Sequence, residues 1–313
     1  MSSAFRFILH AREKLYTAGI LSTMRLNHPV ISVGNLTLGG TGKTPLVIAL
    51  AEGLKSRGWR PVILSRGYGR QNRDIVIAGS DWQQAGDEPC LIAQRLRDVP
   101  VVVGADRYEA GVLAEREDLG NIFILDDGFQ HRRLHRDFDI VTVDPAEWNA
   151  GEALLPTGRW REPKAAITRA QAACVQDLTG TDIPSLPIPT FIVQTHIDGL
   201  FKKSARVAAE DLKDREVVAF AGIAKPERFF HALLSMGINP VRTFAFADHH
   251  AYSLRDIEQL RGDVLVTTEK DAVRLAGREF RDFVYLRVSA KIANFEQLLN
   301  LILERLRNAK WRM

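Results

Sequence analysis

Gly39-Gly40-Thr41-Gly42-Lys43-Thr44 is the stretch whose reading decides the fold. It follows the apolar run Pro29-Val30-Ile31-Ser32-Val33-Gly34, which reads as a buried parallel strand. It precedes residues 45–54, which read as a helix with Pro45 in its first turn, where a missing N–H costs nothing. Strand, glycine-rich loop, Lys-Thr and helix together form the setting in which backbone N–H groups wrap nucleotide phosphates. Lys43 is then expected to reach the β- and γ-phosphates, and the Thr44 hydroxyl to sit on Mg²⁺. The strict pattern asks for Gly at position 37, where this chain has Thr37; Leu38 follows, and Gly39, Gly40 and Gly42 supply backbone freedom nearby.

Outward from the loop, strand-like and helical patterns alternate. Pro61-Val62-Ile63-Leu64-Ser65, Val101-Val102-Val103, Asn121-Ile122-Phe123-Ile124-Leu125 and Asp139-Ile140-Val141-Thr142-Val143-Asp144 read as strands. Residues 90–97 and 108–116 read as helices between them. The expected class is α/β: a P-loop-type parallel sheet flanked by helices on both faces. A stretch rich in Pro, Gly and Thr, residues 177–189, suggests a transition, after which a second alternation begins. Strands are expected at residues 216–221, 241–246, 264–267 and 283–286, and helices at 226–236, from the Ser253 cap to 260, and at 294–307. The division is therefore a kinase-like domain over residues 1–185 and a smaller α/β domain over 186–313 that closes the cleft.

The bulk properties narrow the function. The chain has 313 residues, 46% hydrophobic and 26% charged, with a net charge of +4. That composition is of a globular protein with enough chain for two domains, and the mild basicity suits an anionic substrate without calling for nucleic acid. Cys90 and Cys174 form neither a metal-type pair nor a disulfide framework, so a reducing cytoplasm is expected. No apolar run reaches membrane-span length. At the N-terminus, Phe5, Phe7-Ile8-Leu9, Leu15-Tyr16 and Ile20-Leu21 alternate with Arg6, His10, Arg12 and Lys14. Such a basic amphipathic segment either lies on a membrane or packs on the core, and Trp311 is a single candidate interfacial anchor.

Other motifs carry chemistry. Ile124-Leu125-Asp126-Asp127-Gly128-Phe129-Gln130-His131 places two carboxylates at a strand end, where a phosphate-binding fold holds Mg²⁺. Leu64-Ser65-Arg66-Gly67-Tyr68-Gly69-Arg70 puts two arginines in a flexible loop after a strand. Ala85-Gly86-Asp87-Glu88-Pro89 opens a helix, with Asp87 as a natural N-cap; Asp106 is a second cap, before Arg107. Asp248-His249-His250 ends a strand of the second half, and Gly158-Arg159-Trp160-Arg161-Glu162-Pro163 joins Arg132, Arg133, Arg136, Lys164 and Arg169 in a basic region. A GTPase switch would need an Asn-Lys-x-Asp motif to read guanine; Thr268-Glu269-Lys270-Asp271 has another order. Intact Lys43, Asp126 and Asp127 argue against a non-catalytic scaffold, and a P-loop kinase or ATP-dependent ligase acting on a soluble anionic metabolite is one enzyme reading of these motifs.

Taken in order, Val33-Gly34-Asn35-Leu36, the GGTGKT loop, Ser65-Arg66-Gly67-Tyr68, Gly86-Asp87-Glu88-Pro89, Asp126-Asp127-Gly128-Phe129-Gln130-His131 and Arg161-Glu162-Pro163 resemble the tetraacyldisaccharide 4′-kinase family of lipid A biosynthesis. The resemblance runs from about Arg12 to the last helix, and the family accepts a small hydroxyl residue where Thr37 stands. It implies ATP-dependent phosphorylation of the 4′-hydroxyl of a tetraacyldisaccharide 1-phosphate, with Mg²⁺, in a cleft between two α/β domains. It further implies a cytoplasmic protein held peripherally at the inner-membrane surface; no obligate protein partner is evident from the sequence. Members often begin with a longer apolar segment, to which only residues 5–21 correspond here. By resemblance Asp87 is the catalytic base and His249 its partner, Asp126 and Asp127 lie near Mg²⁺, and Arg66, Arg107, His131, Arg161 and Glu162 serve the substrate side.

Overall fold

The amphipathic N-terminal segment forms helix α1 (Ser2–Thr17), and the run at residues 29–34 becomes strand β1 (Val30–Asn35). The structure is a computed structural model that describes residues 2–71, 73–178, 180–276, 282–309 and 311, with backbone alone at residues 2–5 and 17, so the Phe5 side chain lies outside it. After the glycine-rich loop comes α2 (Lys43–Lys55), then β2 (Pro61–Ser65), β3 (Val76–Ile77), α3 (Trp82–Ala85) and α4 (Asp87–Arg95). The first half continues with β4 (Val101–Val103), α5 (Arg107–Arg116), β5 (Ile122–Asp126), β6 (Phe138–Val143), α6 (Pro145–Asn149) and β7 (Ala172–Gln176). The second supplies β8 (Thr190–Lys202), β9 (Ala205–Val207), β10 (Val217–Ala221), α7 (Pro226–Ser235), β11 (Arg242–Ala245) and α8 (Leu254–Glu258). It ends with β12 (Val264–Thr268), α9 (Glu269–Leu275), β13 (Phe283–Ile292) and α10 (Phe295–Asn308).

The strands join in one sheet in the order β11-β10-β12-β13-β8-β7-β6-β1-β5-β2-β4-β3, with β9 beside β8. Pairing is parallel except at β13/β8, β3/β4 and β8/β9. The expected α/β class is thus the observed one, and the second alternation of strands forms the far wing of the same sheet. The two wings meet at the antiparallel β8–β13 pair, whose register shifts between Arg287 and Val288. β1, β2, β5 and β6 are buried along their whole length because helices cover both faces.

Two features aim the sheet at a site. β1 lies between β5 and β6, with Val33 opposite Asp126, so the glycine-rich loop and the acidic strand end leave the sheet side by side. Strand ends on this edge are where ligands bind in open α/β sheets. α4 packs on α9, which brings the start of one wing's helix against the start of the other's. The last helix crosses back to the first half: Leu298, Leu299, Ile302 and Leu306 are buried in the core that α2 shares. Each such side chain contributes roughly 1.5–3 kcal/mol on burial. Gly53 permits the approach, since a Cβ there would stand 2.8 Å from the Phe295 ring. Trp311 is no interfacial anchor: it packs on this core and its indole N–H donates to Asp137 at 2.9 Å.

Candidate active site

The loop between β1 and α2 is pegged from below. The Thr41 side chain is buried, its hydroxyl 2.7 Å from that of Thr142 and accepting from the Asn35 amide at 3.1 Å. Gly42 caps α2 at φ 77°, a left-handed conformation that suits glycine. A Cβ there would also lie 2.4 Å from the Gln176 amide nitrogen, whose N–H donates to the Thr41 carbonyl. Arg159 clasps the other side: its guanidinium donates to the Leu38 carbonyl at 2.9 Å, and the Leu38 N–H donates to the Arg159 carbonyl at 2.7 Å. Leu38, Gly39, Gly40, Thr41, Gly42, Lys43 and Thr44 all line a cleft of about 1960 Å³. Thr37 lies behind that wall, in an antiparallel bridge with Trp160.

The two aspartates beyond β5 have opposite environments. Asp127, held at φ 52°, stands 3.4 Å from the Lys43 ammonium and 2.8 Å from the Arg161 guanidinium. Burial opposes its ionisation, but Lys43 and Arg161 outweigh burial and hold its carboxyl below the ordinary range. Asp126 is the reverse case. Burial first, then Glu88 and Asp127, push its carboxyl up to about 7, against Lys43 and a hydrogen bond from the Ser65 hydroxyl. Its Oδ1 is buried and has no hydrogen-bond partner. An orphaned carboxylate oxygen beside a phosphate-binding loop, with the Thr44 side chain on the same wall, fits a divalent cation. Among the described residues no cluster of three His, Cys, Asp or Glu is placed to hold a metal ion.

Across the cleft, Asp87 meets the second wing. Gly86, at φ 97°, is the N-cap of α4, so the expectation that Asp87 caps the helix is corrected by one position. As the first helical residue, Asp87 accepts the Glu88 N–H at 2.8 Å and turns its carboxylate toward His249. His249 Nδ1 lies 2.9 and 3.2 Å from its two oxygens, and Arg274 Nε lies 3.4 Å from Oδ2. Burial would raise the Asp87 pKa, yet His249, Lys270 and Arg274 together lower it, so the carboxylate is charged at neutral pH. His249 sits at φ 59°, a conformation uncommon outside glycine and enriched where a site holds strain. A buried network fixes its loop: Arg274 donates to the carbonyls of Gly222 and His250 and pairs with Asp271, which also accepts from Tyr252. His250 points elsewhere and bonds Asp256, which completes the capping box of Ser253.

The remaining residues divide between cleft wall and support. Arg66 is exposed on the cleft wall. Arg107 is buried beside it; burial and Arg66 lower its pKa to about 10, and its Nε has no hydrogen-bond partner. Burial and Arg107 push His131 down to about 4, so that ring is neutral. Glu162 is buried off the cleft wall and paired with Arg169 at 2.7 Å. The expected basic surface is largely neutralised, since Arg132 pairs with Glu13, Arg133 with Asp106 and Arg136 with Asp139. Asp106 also caps α5 as expected. Sequence reasoning did not single out Glu88, Gln176, Lys270 or Arg274. Glu88 and Lys270 sit in quoted stretches without a role there, whereas Gln176 and Arg274 gain meaning only from β7 beside the loop and the packing of α4 on α9.

A parallel α/β sheet, a glycine-rich loop capped by Lys-Thr and an acidic neighbouring strand end define a P-loop nucleotide-binding fold built for phosphoryl chemistry. The particular family follows from comparison: a family model for tetraacyldisaccharide-1-P 4′-kinase matches residues 1–307, and the chain belongs to that family. It is 39% identical over 293 residues to a tetraacyldisaccharide 4′-kinase of Geobacter metallireducens, covering 88% of this chain and 87% of the relative. A relative of the same description from Aquifex aeolicus is 38% identical over 312 residues, covering 96% of each chain. A crystal structure of LpxK from Aquifex aeolicus in complex with ATP superposes with a TM-score of 0.84 at 37% identity, covering 97% of this chain and 96% of that one.

Proposed function

We propose that this protein transfers the γ-phosphoryl group of ATP to the 4′-hydroxyl of a tetraacyldisaccharide 1-phosphate, a step of lipid A biosynthesis. Membership of the family and the likeness to an ATP complex support this reading. The observation that carries it is local: His249, bonded to Asp87, lines the same cleft as Lys43 and Asp126. The acceptor oxygen attacks the γ-phosphorus as the bond to the β,γ-bridging oxygen breaks, ADP leaves, and the hydroxyl proton passes to Asp87. His249 orients that carboxylate, while the loop N–H groups and Lys43 stabilise charge on the transferring group. Mg²⁺ would be held by Asp126, with Thr44 and Asp127 beside it, and would neutralise charge on the β- and γ-phosphates. Arg66, Arg107 and Arg161 provide positive charge along the wall for an acceptor that already bears a phosphate.

We further propose that residues 1–185 and 186–313 act as two parts closing on this cleft, with α10 tying the second back to the first. Helix α1 exposes Phe7 at 72% and Ile8 at 60%, and Ile8, Leu9 and Arg12 line the cleft. An apolar edge there suits docking on the inner-membrane surface, from which an acylated acceptor enters. No described helix is long and apolar enough to cross a membrane. The test is transfer of label from γ-labelled ATP to the acylated disaccharide 1-phosphate, with a deacylated sugar phosphate as control. Preferential labelling of the acylated acceptor is expected; labelling of the control alone would overturn the reading.

A further inference from the structure

We propose that Lys270 is a positioning residue for the acceptor side of this cleft: its ammonium fixes His249 as the neutral Nδ1–H tautomer and so keeps that ring a donor to Asp87. The functional part of this rests on reading Asp87 and His249 as the pair that activates the acceptor. Lys270 is the second residue of α9, whose first turn is capped by the Thr268 side chain. It crosses from the second wing with a largely covered side chain and lines the cleft. Its Nζ lies 3.0 Å from Glu88 Oε1, 3.3 Å from His249 Nε2, 3.6 Å from Asp248 Oδ1 and 4.0 Å from Asp87 Oδ2.

The tautomer follows from the chemistry of these atoms. An ammonium has donors and no acceptor, so Nε2 of His249 must receive its hydrogen bond with a bare lone pair. The ring proton then sits on Nδ1, the nitrogen that faces both oxygens of Asp87. One group pulls the other way: Asp248 Oδ2 stands 3.8 Å from Nε2 and would favour a proton there. Lys270 is nearer to Nε2, and it keeps its charge, because Glu88, Asp87 and Asp248 outweigh the burial that would lower its pKa. The other groups facing the pair are Arg274, at 3.4 Å from Asp87, and the Tyr68 ring, with its centroid 5.0 Å from that of His249. Neither approaches Nε2 within hydrogen-bond distance as Lys270 does. Without the ammonium, Asp248 favours a proton on Nε2, and Asp87 loses both the Nδ1–H donor that orients it and one of the charges that lower its pKa.

Nitrogen NMR of the wild-type protein, with His249 assigned by its loss in His249→Gln, reads the tautomer without any turnover. A protonated Nδ1 and a bare Nε2 are expected; a protonated Nε2 at neutral pH would overturn the assignment. Kinetics supply the second arm. Lys270→Met is expected to lower kcat by about tenfold or more, leave the KM for ATP within about twofold, and move the acidic limb of the rate profile to higher pH. Lys270→Arg should recover most of the rate and the original limb. A loss equal at every pH, with no recovery by Arg, would make Lys270 a structural contact only. Asp87→Ala run alongside separates the two readings. If Asp87→Ala is inactive and Lys270→Met behaves as wild type, the role of Lys270 falls alone; if Asp87→Ala keeps wild-type kcat, the reading of the pair falls first.

Discussion

Lys43 rests 3.4 Å from Asp127, a contact it would exchange for the phosphates of ATP. Lys43→Ala removes that charge compensation and is expected to cut turnover by roughly a thousandfold, measured as label transfer from ATP; a wild-type rate would remove the loop from catalysis. Asp87→Ala should lower kcat by about a hundredfold or more while leaving the KM for ATP within about twofold. His249→Ala should cost a similar factor, and the proposed pairing of the two side chains predicts that the double variant loses little more than either single. Additive losses would argue for separate roles. The sequence made Lys43, Asp126 and Asp127 legible through residue type and spacing alone. It could not separate the two aspartates, because their difference is environmental: Asp127 is held by Lys43 and Arg161, whereas Asp126 is buried with one oxygen unpartnered. Nor could it reveal that Asp87 follows the cap of its helix, a matter of backbone geometry at Gly86.

At the scale of elements, the glycine-rich loop works because neighbouring elements hold it. Gly42→Ala places a Cβ in a left-handed position already met by the Gln176 side chain, so weaker ATP binding and about 1–2 kcal/mol of lost stability are expected in calorimetry and urea unfolding. Binding and stability both unchanged would show the loop to be less constrained than its contacts indicate. The wings are joined by a second device, in which Lys225 and Arg228 of the α7 region clamp the buried Asp144 that caps α6. Burial opposes ionisation of Asp144, but Lys225 and Arg228 outweigh it and lower its pKa. A lowered carboxyl pKa contributes stability above the unfolded carboxylate range, and that contribution is lost as pH falls through the folded value. Asp144→Asn should therefore cost about 2 kcal/mol at neutral pH and converge on the wild type in acid, as read by urea unfolding at several pH values. A difference independent of pH would contradict the clamp. Most strands of the first half were legible as continuous apolar runs. β7, β8 and α9 were not: β8 mixes exposed and buried residues after a Pro-rich stretch, and α9 is only seven residues long.

For the whole molecule, the sequence anticipated the α/β class and the second alternation of strands. The joining of both in one sheet depends on β8 and the extension of β13 to Ile292, where polar residues interrupt the apolar pattern. The membrane-facing proposal rests on α1, and removing residues 1–16 should weaken partition onto anionic vesicles; equal partition with and without them would end it. The central claim is that one cleft carries a phosphoryl donor on its loop side and a sugar hydroxyl on its Asp87–His249 side. Its most direct test is phosphorus NMR of the product formed from ATP and tetraacyldisaccharide 1-phosphate. The account predicts a new phosphomonoester coupled to the proton at the 4′ carbon, with the 1-phosphate retained. Phosphate on any other atom of the acceptor, or released only to water, would contradict it.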